Sequence, residues 1–391
     1  MTNIFIFNPL GLENGRGGEI SAIELASGLK NFYNITLMDT NIIIDNVLLS
    51  KESILKKLGD LERYGSIKFA TFKILNKIFT FPYPNEVIKL YRIVKNNDII
   101  YTSNFTIKTN LLFILFSLLH RKGIFLIGHR KPLFSKKVFS LYNLKNRVSI
   151  LLFTLFKKRF LHHTISGHAK KYLENFYSAN RVIHIIHGVE LENYKKNSSI
   201  QKSNNHLNFI YVGYLDDVHK GVGVLLDGIE DIILENPHLK IFFEFCGTGP
   251  LEPKLRLLEK NHPKYIRYNG YINNKRISEY YKRNDVLLFT SRREPFGRVL
   301  VEALASELLI ICTHTYGSNE ILKGKRFAYF IPKLNSKNVK RKIYDVYDFW
   351  EKNPIKFQEL QEMAKNYAYS QYSFSKELSM FRNLINKIMN K

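Results

Sequence analysis

Short apolar runs alternate with longer segments of helical periodicity along the whole chain. The run at 3–9 is followed by a glycine-rich turn, a helical segment at 20–32 and a second apolar run at 34–39. Apolar runs of this length, bounded by turn residues, are typical of buried strands. Because strands that alternate with helices usually form parallel sheets covered on both faces, the sequence predicts an α/β protein that opens with a β–α–β unit.

The alternation occurs in two series, separated by a polar segment. A chain of 391 residues is longer than one hydrophobic core usually supports, so two domains are expected. Residues 192–206 are rich in Lys, Asn and Ser and have no apolar periodicity, which is typical of a linker. We therefore predict a first domain at 1–190, a linker at 191–206 and a second domain at 207–373. The apolar runs of the second series begin at Asn208, Lys240, Tyr265, Asp285 and Leu308.

The composition, with 45% hydrophobic and 14% aromatic residues, is that of a packed globular protein. Cys246 and Cys312 both lie inside apolar runs, so we expect buried thiols rather than a disulfide or a metal site.

The first residues lack the basic head of a signal peptide, which predicts a cytoplasmic location. The longest apolar stretch, at 111–119, is shorter than the roughly 20 residues of a membrane span, so a buried helix is expected there.

The most specific segment of the chain follows the apolar run that begins at Asp285. It reads Glu294-Pro-Phe-Gly297, then four residues, then Glu302-Ala. Proline and glycine shape a tight turn and the residues after them are helical, so backbone N–H groups at the helix start can face an anion such as phosphate. The simpler interpretation is an amphipathic helix with a capping carboxylate at Glu294.

The full string resembles the signature of the family 4 retaining glycosyltransferases, and every fixed position of that signature is matched. The resemblance implies the GT-B fold, an α/β architecture of two doubly wound Rossmann-like domains facing a central cleft. It also implies that Glu294 contacts the donor sugar hydroxyls and Glu302 the ribose hydroxyls; a carboxylate readily accepts two hydrogen bonds from a vicinal diol. In GT-B enzymes the last helix often crosses back to the first domain, and we predict the same for 374–391.

Further likenesses follow in the expected order along the chain. Gly213-Tyr-Leu with Lys220-Gly resembles the family's Gly-Arg-Leu followed by Lys-Gly, in which the arginine and the lysine clamp the donor diphosphate. The lysine is kept, whereas Tyr214 replaces the arginine. The candidates to supply this charge in its place are Arg292, Arg293 and Arg298.

Three weaker segments complete the resemblance. Gly247-Thr-Gly249 is similar to the family's glycine turn beside the donor, and Asn269-Gly-Tyr-Ile272 to the strand end near the nucleotide base; both are also explained as plain turns. Gly17-Gly18 resembles the glycine loop that approaches donor phosphate and acceptor. It is not the dinucleotide fingerprint, so a nicotinamide cofactor is disfavoured.

The resemblance implies catalytic roles for His129, Lys220 and Glu294. His129 ends a predicted strand where family members often carry a histidine at the cleft, although a lone histidine there is equally often structural. His187 and Glu190 depart from the family's Ile-Pro-Asn-Gly-Val-Asp segment, which predicts a hinge kept for its shape. The implied donor-binding residues are Gly17, Gly18, Gly213, Lys220, Gly247, Gly249, Ile272, Glu294, Pro295, Phe296, Gly297, Val299, Leu300 and Glu302.

No cofactor is predicted, and because the chain has no Asp-x-Asp, a metal-dependent GT-A enzyme is disfavoured. The net charge of +25 favours anionic partners. Residues 99–173 contain no Asp or Glu, and 131–160 interleave Lys and Arg with Phe and Leu, which suits a segment lying on anionic lipid. A solvated basic face is the alternative; nucleic acid is disfavoured, since no recognised motif accompanies the charge.

The predicted function is a retaining transfer of sugar from a UDP- or GDP-sugar donor to a glycan or lipid-linked acceptor, with peripheral contact to a membrane. The alternative from another class is a non-catalytic basic scaffold that binds membrane or nucleic acid and keeps the GT-B fold, which Tyr214 favours. A sugar phosphorylase or an epimerase shares the fold and stays open, because fold alone does not assign chemistry.

Overall fold

The computed structural model describes residues 1–9, 12, 17–40, 51–58, 64–74, 77–103, 107–120, 122–129, 151, 155, 159–195, 206–273 and 276–390. These residues form two compact units, one of 1–186 together with 380–391 and one of 187–379. The division lies near the predicted domain boundary at 190. Most of the predicted linker and most of the predicted lipid-facing segment lie outside the described residues.

The first unit is built on a parallel sheet. Its strands are β1 (Asn3–Phe7), β2 (Asn34–Thr40), β3 (Tyr64–Ile67), β4 (Phe69–Ile74), β5 (Lys77–Pro82), β6 (Ile99–Thr102), β7 (Ile124–His129), β8 (Phe160–Thr164) and β9 (Val182–His184). Its helices are α1 (Gly17–Leu29), α2 (Lys51–Leu58), α3 (Pro84–Lys95), α4 (Ile107–Leu119) and α5 (Gly167–Glu174). Seven strands pair in the order β3-β2-β1-β6-β7-β8-β9, so the order reverses between β1 and β6 as in a doubly wound sheet.

Strands β4 and β5 form a separate antiparallel hairpin, in which Phe69 pairs with Pro82 and Ile74 with Lys77. The hairpin is inserted between β3 and α3. The hairpin is not predicted from the sequence, because an antiparallel pair interrupts the strand–helix alternation on which the predicted fold rests.

Helix α4 corrects one expectation. The predicted helix is present, and Phe113 and Phe116 are buried with Phe125 and Phe160 in the core beside the sheet. Yet Leu115, Leu118 and Leu119 are between 46% and 57% exposed, so one side of the helix faces outward. The prediction of a buried helix was wrong on that side, because a run that is apolar all round carries no periodicity to reveal it. Within the described residues no helix is both long and apolar enough to cross a membrane.

The second unit repeats the doubly wound pattern. Its strands are β10 (Leu207–Val212), β11 (Ile241–Cys246), β12 (Ile266–Tyr268), β13 (Val286–Phe289), β14 (Leu309–Thr313) and β15 (Ala328–Ile331). Its helices are α6 (Val222–Glu235), α7 (Glu252–Asn261), α8 (Ile277–Lys282), α9 (Arg298–Ala305), α10 (Tyr316–Leu322), α11 (Ser336–Lys352), α12 (Pro354–Tyr372) and the start of α13 (Phe374–Met389). All six strands are parallel, in the order β12-β11-β10-β13-β14-β15. The predicted strands of the second series are confirmed.

Two chain segments pair near the start and the end of the second unit. The Val189 N–H donates to the Tyr372 carbonyl (2.9 Å), and the Phe374 N–H donates to the Val189 carbonyl (3.0 Å). Helix α13 begins here, and from residue 380 onward it belongs to the first unit. In that unit the ring of Phe381 packs against Tyr101, with ring centroids 5.8 Å apart.

Candidate functional site

The strand order of the second unit reverses between β10 and β13, and the loops that follow these two strands each contribute one member of an ion pair. Lys220 Nζ lies 2.8 Å from Glu294 Oε2, and the two side chains are 26% and 19% exposed. Ligands of doubly wound sheets bind at the carboxyl ends of the strands at such a reversal. The structure thus brings together two of the predicted catalytic residues at the position where a ligand is expected.

The backbone around Lys220 is held from both sides. Asp216 Oδ1 accepts the N–H groups of His219 (3.0 Å) and Lys220 (2.8 Å). From the loop after β13, Thr290 Oγ1 donates to the Lys220 carbonyl (2.9 Å) and the Arg292 N–H donates to the His219 carbonyl (2.7 Å). A lysine fixed in this way is not the freely solvated charge that a polar surface loop suggests.

The turn after Glu294 agrees with the predicted shape. Gly297 has φ +87°, in the left-handed region that favours glycine, and directly precedes α9. No side chain caps this helix, and the Glu294 carboxylate pairs with Lys220 instead. The capping interpretation of Glu294 is therefore wrong.

The other predicted residues of this segment lie around the same turn. Phe296 is buried, and Pro295 and Val299 are half-buried. Leu300 is fully buried, and its N–H already donates to the Gly297 carbonyl (2.9 Å).

The segment that follows β14, which no sequence motif indicates, also contacts the Glu294 backbone. The Gly317 N–H donates to the Glu294 carbonyl (2.9 Å), and a Cβ at Gly317 would lie 2.0 Å from the Phe296 carbonyl oxygen. Gly317 stands on α10, whose start is held by a capping box between Thr315 and Ser318. The available signal was a glycine shortly after a predicted strand end, in the same sheet-edge position as the other loops.

Glu302 is held by two side chains. The Tyr281 hydroxyl donates to Glu302 Oε2 (3.3 Å), and Arg298 Nε lies 3.5 Å from Oε1. Burial, and then the neighbouring Glu302 charge, raises the pKa of Tyr281 well above its ordinary value, so the phenol remains a donor. No sequence motif connects Tyr281 with Glu302, since the two residues are 21 positions apart in the chain.

The three arginines proposed to substitute for the one that Tyr214 replaces have different surroundings. Arg292 is bound to Asp217, through the carbonyl (2.9 Å) and the carboxylate (3.1 Å). Arg293 is exposed and has no ion-pair partner among the described residues. Arg298 is 16% exposed and stands beside Glu302. Of the three, Arg298 is therefore the best placed near the predicted nucleotide contacts.

The glycine turns after β10, β11 and β12 contact one another. A Cβ at Gly247, which has φ +144°, would lie 1.8 Å from the Gly213 carbonyl oxygen. The Gly247 N–H donates to the Gly270 carbonyl (2.7 Å). A Cβ at Gly249 would lie 2.6 Å from the Leu215 carbonyl oxygen, and Ile272 is half-buried beyond Gly270. These glycines are required for the loops to pack, whatever they contact in a ligand.

In the first unit the predicted residues lie at the ends of two elements. Gly17 and Gly18 are the first residues of α1, so the helix begins three residues earlier than predicted and includes both glycines; their contact with a donor stays a prediction. His129 ends β7 and is buried, with its Nε2 3.0 Å from His162 Nδ1. Burial, with His162 as a smaller cause, lowers the pKa of His129 well below 6.5. The imidazole is neutral and presents little surface, and its catalytic role stays a prediction.

The predicted hinge segment has a side-chain contact that shape alone does not explain. His187 is buried, its ring centroid lies 4.9 Å from that of Phe296, and its Nδ1 lies 3.9 Å from Glu377 Oε2. The same carboxylate oxygen accepts the Gly188 N–H (2.9 Å). The departure from the family residue at His187 therefore places an imidazole against the turn that carries Glu294.

Both cysteines are free and buried, as expected, and burial raises the pKa of the Cys246 thiol to about 12. Across the part of the chain that the structure describes, no three His, Cys, Asp or Glu side chains group closely enough to hold a metal ion. The absence of a metal requirement stays a prediction.

The whole chain resembles solved glycosyltransferase structures. Anabaena HepE, solved in complex with UDP, superposes with a TM-score of 0.75 at 15% identity, over 99% of this chain and 100% of that one. At this identity the likeness shows the fold, which is that of the GT-B glycosyltransferases.

The match to known sequences is concentrated in the second unit. Residues 192–371 match the family model described as Glycosyl transferases group 1. An uncharacterized glycosyltransferase of Methanocaldococcus jannaschii is 27% identical over 204 residues, 51% of this chain and 54% of the relative. The phosphatidylinositol N-acetylglucosaminyltransferase gpi3 subunit of Schizosaccharomyces pombe is 28% identical over 152 residues, 38% and 32% of the two chains. The chain thus spans about half, or less, of the length of these relatives.

Proposed function

We propose that this chain is a retaining glycosyltransferase that moves a sugar from a nucleoside-diphosphate donor to a glycan or lipid-linked acceptor. The observation that carries the proposal is the Lys220–Glu294 pair at the strand reversal of the second unit, inside the segment that matches the glycosyl transferases group 1 family. A cation beside a carboxylate suits a ligand that has both phosphates and sugar hydroxyls.

In the proposed reaction the leaving nucleoside diphosphate gains negative charge as the glycosidic bond breaks. A fixed cation at that position lowers the barrier, and Lys220 is held in place by four hydrogen bonds to its own backbone and that of His219. When the donor enters, the ammonium group exchanges Glu294 for phosphate, which frees the carboxylate to accept hydroxyls of the sugar. Lys220 is the cation at the diphosphate in this scheme, and no metal takes part.

The nucleoside is proposed to bind beside Glu302 and the glycine turns. HepE was solved with UDP, which supports testing uridine donors first, with GDP-sugars as the alternative. Retention of configuration rests on the resemblance of the glutamate string to the retaining family. His129 is proposed to lie near the transferred sugar or the acceptor.

A lipid-linked acceptor is supported by the first unit. The outward leucines of α4 form an apolar stripe in a region, 99–173, that has no acidic residue. Apolar side chains combined with cations suit peripheral contact with anionic lipid on the cytoplasmic side. The name of a relative, the phosphatidylinositol N-acetylglucosaminyltransferase gpi3 subunit of fission yeast, also supports a lipid acceptor for this chain.

The proposed donor site is tested by thermal unfolding with UDP, GDP, ADP and their sugars. A ligand that binds the folded state raises the unfolding temperature by mass action. We expect one nucleotide family to stabilise the wild type and to lose most of this effect in Glu302→Ala, whereas the exposed control Glu362→Ala behaves as the wild type. No stabilisation by any nucleotide would favour the non-catalytic scaffold.

The proposed lipid contact is tested by sedimentation with vesicles containing phosphatidylglycerol. Replacing Leu115, Leu118 and Leu119 with Ser is expected to weaken vesicle binding by at least tenfold, since losing only two buried methylenes at roughly 0.8 kcal/mol each already exceeds the roughly 1.4 kcal/mol of a tenfold change. Leu234→Ser with Leu257→Ser, at exposed leucines of the second unit, is the matched control. If both variants bind the vesicles equally well, α4 does not contact the lipid.

A further inference from the structure

The carboxylate of Glu302 has a different partner on each oxygen. Oε2 accepts the hydroxyl of Tyr281 from α8, and Oε1 faces Arg298 one helical turn earlier on α9. The Glu302 side chain is only 12% exposed, so the carboxylate is largely withdrawn from solvent.

Tyr281 itself has no access to a ligand. It is among the largest fully buried side chains of the chain, and its ring packs against Tyr194, with centroids 6.0 Å apart. Any effect of its hydroxyl on substrate must therefore pass through Glu302. Because the ring is immobilised on all sides, the hydroxyl offers a fixed point to a glutamate side chain that would otherwise sample several rotamers.

We propose that Tyr281 is a positioning residue that fixes the Glu302 carboxylate for the vicinal diol of the donor's ribose, an inference that rests on the proposed function. The phenol removes rotational freedom from the carboxylate before the nucleotide arrives, so that less entropy is lost when the diol binds. Arg298 restrains the other oxygen from the more exposed side. Tyr281→Phe removes only the hydroxyl and preserves the buried ring.

The test compares the dissociation constants of UDP and of 2′,3′-dideoxy-UDP, which lacks the diol, by titration calorimetry on the full chain. Tyr281→Phe is expected to weaken UDP binding up to about tenfold, the scale of the entropy lost when one free side chain is ordered on binding, and to leave binding of the dideoxy nucleotide unchanged. Tyr347→Phe is the matched control, because the Tyr347 hydroxyl also donates to a carboxylate, that of Glu351, at 3.3 Å. This control is expected to leave both constants unchanged.

A second variant guards against a general loss of structure. If Tyr281 acts through Glu302, Tyr281→Phe combined with Glu302→Gln binds UDP no more weakly than Glu302→Gln alone. Equal weakening of both nucleotides by Tyr281→Phe, or unchanged UDP binding, overturns the inference. If the wild type prefers GDP, the guanosine pair replaces the uridine pair. A wild type that binds none of UDP, GDP and ADP instead contradicts the proposed function itself.

Discussion

The strand-end residues singled out in the two units differ in the physical means that hold them. In the second unit they are charged and cross-linked: Lys220 pairs with Glu294, Arg298 lies beside Glu302, and a buried phenol fixes the second glutamate. In the first unit His129 is buried, neutral and bonded to another histidine. The charged side chains of the second unit suit a charged ligand, whereas the neutral, buried histidine pair of the first unit mainly affects the stability of the fold. Substitutions in the two units should therefore change different observables.

The largest effect is expected from Lys220→Ala. Removing the cation should lower kcat/KM for turnover of the sugar nucleotide by roughly 100-fold to 1,000-fold, the usual loss when one preorganised group that stabilises transition-state charge is deleted. Lys365→Ala is a close control, since Lys365 also pairs with a glutamate at 2.8 Å, with side chains 32% and 19% exposed. If kcat/KM falls equally in both variants, the loss comes from breaking an ion pair in general and not from the position of Lys220.

The glycine turns of the second unit allow a test of packing that is independent of chemistry. Gly247→Ala places a methyl group 1.8 Å from the Gly213 carbonyl oxygen, whereas Gly270→Ala, at φ +67°, meets no heavy atom within 4 Å. We expect Gly247→Ala to lower the free energy of unfolding by about 3 kcal/mol, and Gly270→Ala, which has only backbone strain, by about 1 kcal/mol. Urea unfolding measures both. Similar values for the two variants would mean that the contact at Gly247 relaxes easily.

The histidine pair of the first unit predicts a pH dependence. Burial, and then the charge of Arg181, lowers the pKa of His162 from 6.5 to about 3, so the unfolded chain binds the proton and the folded chain does not. The contribution of His162 to the free energy of unfolding is therefore complete above pH 6.5, and it is lost progressively as the pH falls from 6.5 toward 3. One such group contributes up to about 1.4 kcal/mol per pH unit in this range. Urea unfolding between pH 7.5 and 5 should show a shallower decrease in His162→Gln; an identical slope would contradict the assignment.

The strands, the helices and their order could be predicted because short stretches of the sequence indicate them. An apolar run that ends in glycine or a polar residue marks a strand end, and parallel strands place their carboxyl ends on one edge of the sheet. The common site of Lys220 and Glu294, which are 74 residues apart, is implied by the family resemblance, and the position of both loops at strand ends agrees with it. The repeated doubly wound order of both units follows from the same alternation of strands and helices.

What the sequence did not predict depends on which side chains meet across the fold. The His129–His162 bond and the contact of Gly317 with Glu294 join residues with no motif in common. The phenol of Tyr281 lies on a short helix that has no motif linking it to Glu302. The outward leucines of α4 were missed because the helix is apolar on every side. These contacts depend on which side chains the folded structure brings together, and the positions of the residues along the sequence do not reveal that.

The smallest effect is expected at Tyr214, where the family resemblance places an arginine. The Tyr214 side chain is 55% exposed, and its backbone carbonyl is held by the Tyr211 hydroxyl (3.0 Å), so Tyr214→Arg leaves the backbone contact intact and costs little stability. A partly exposed cation near a diphosphate contributes modestly, so the KM for the sugar nucleotide should fall by about twofold to fivefold. Steady-state kinetics at two salt concentrations checks this, because the gain should shrink as salt rises. A KM that rises instead would mean that Arg298 already supplies this charge and that a second arginine competes with it for Glu302.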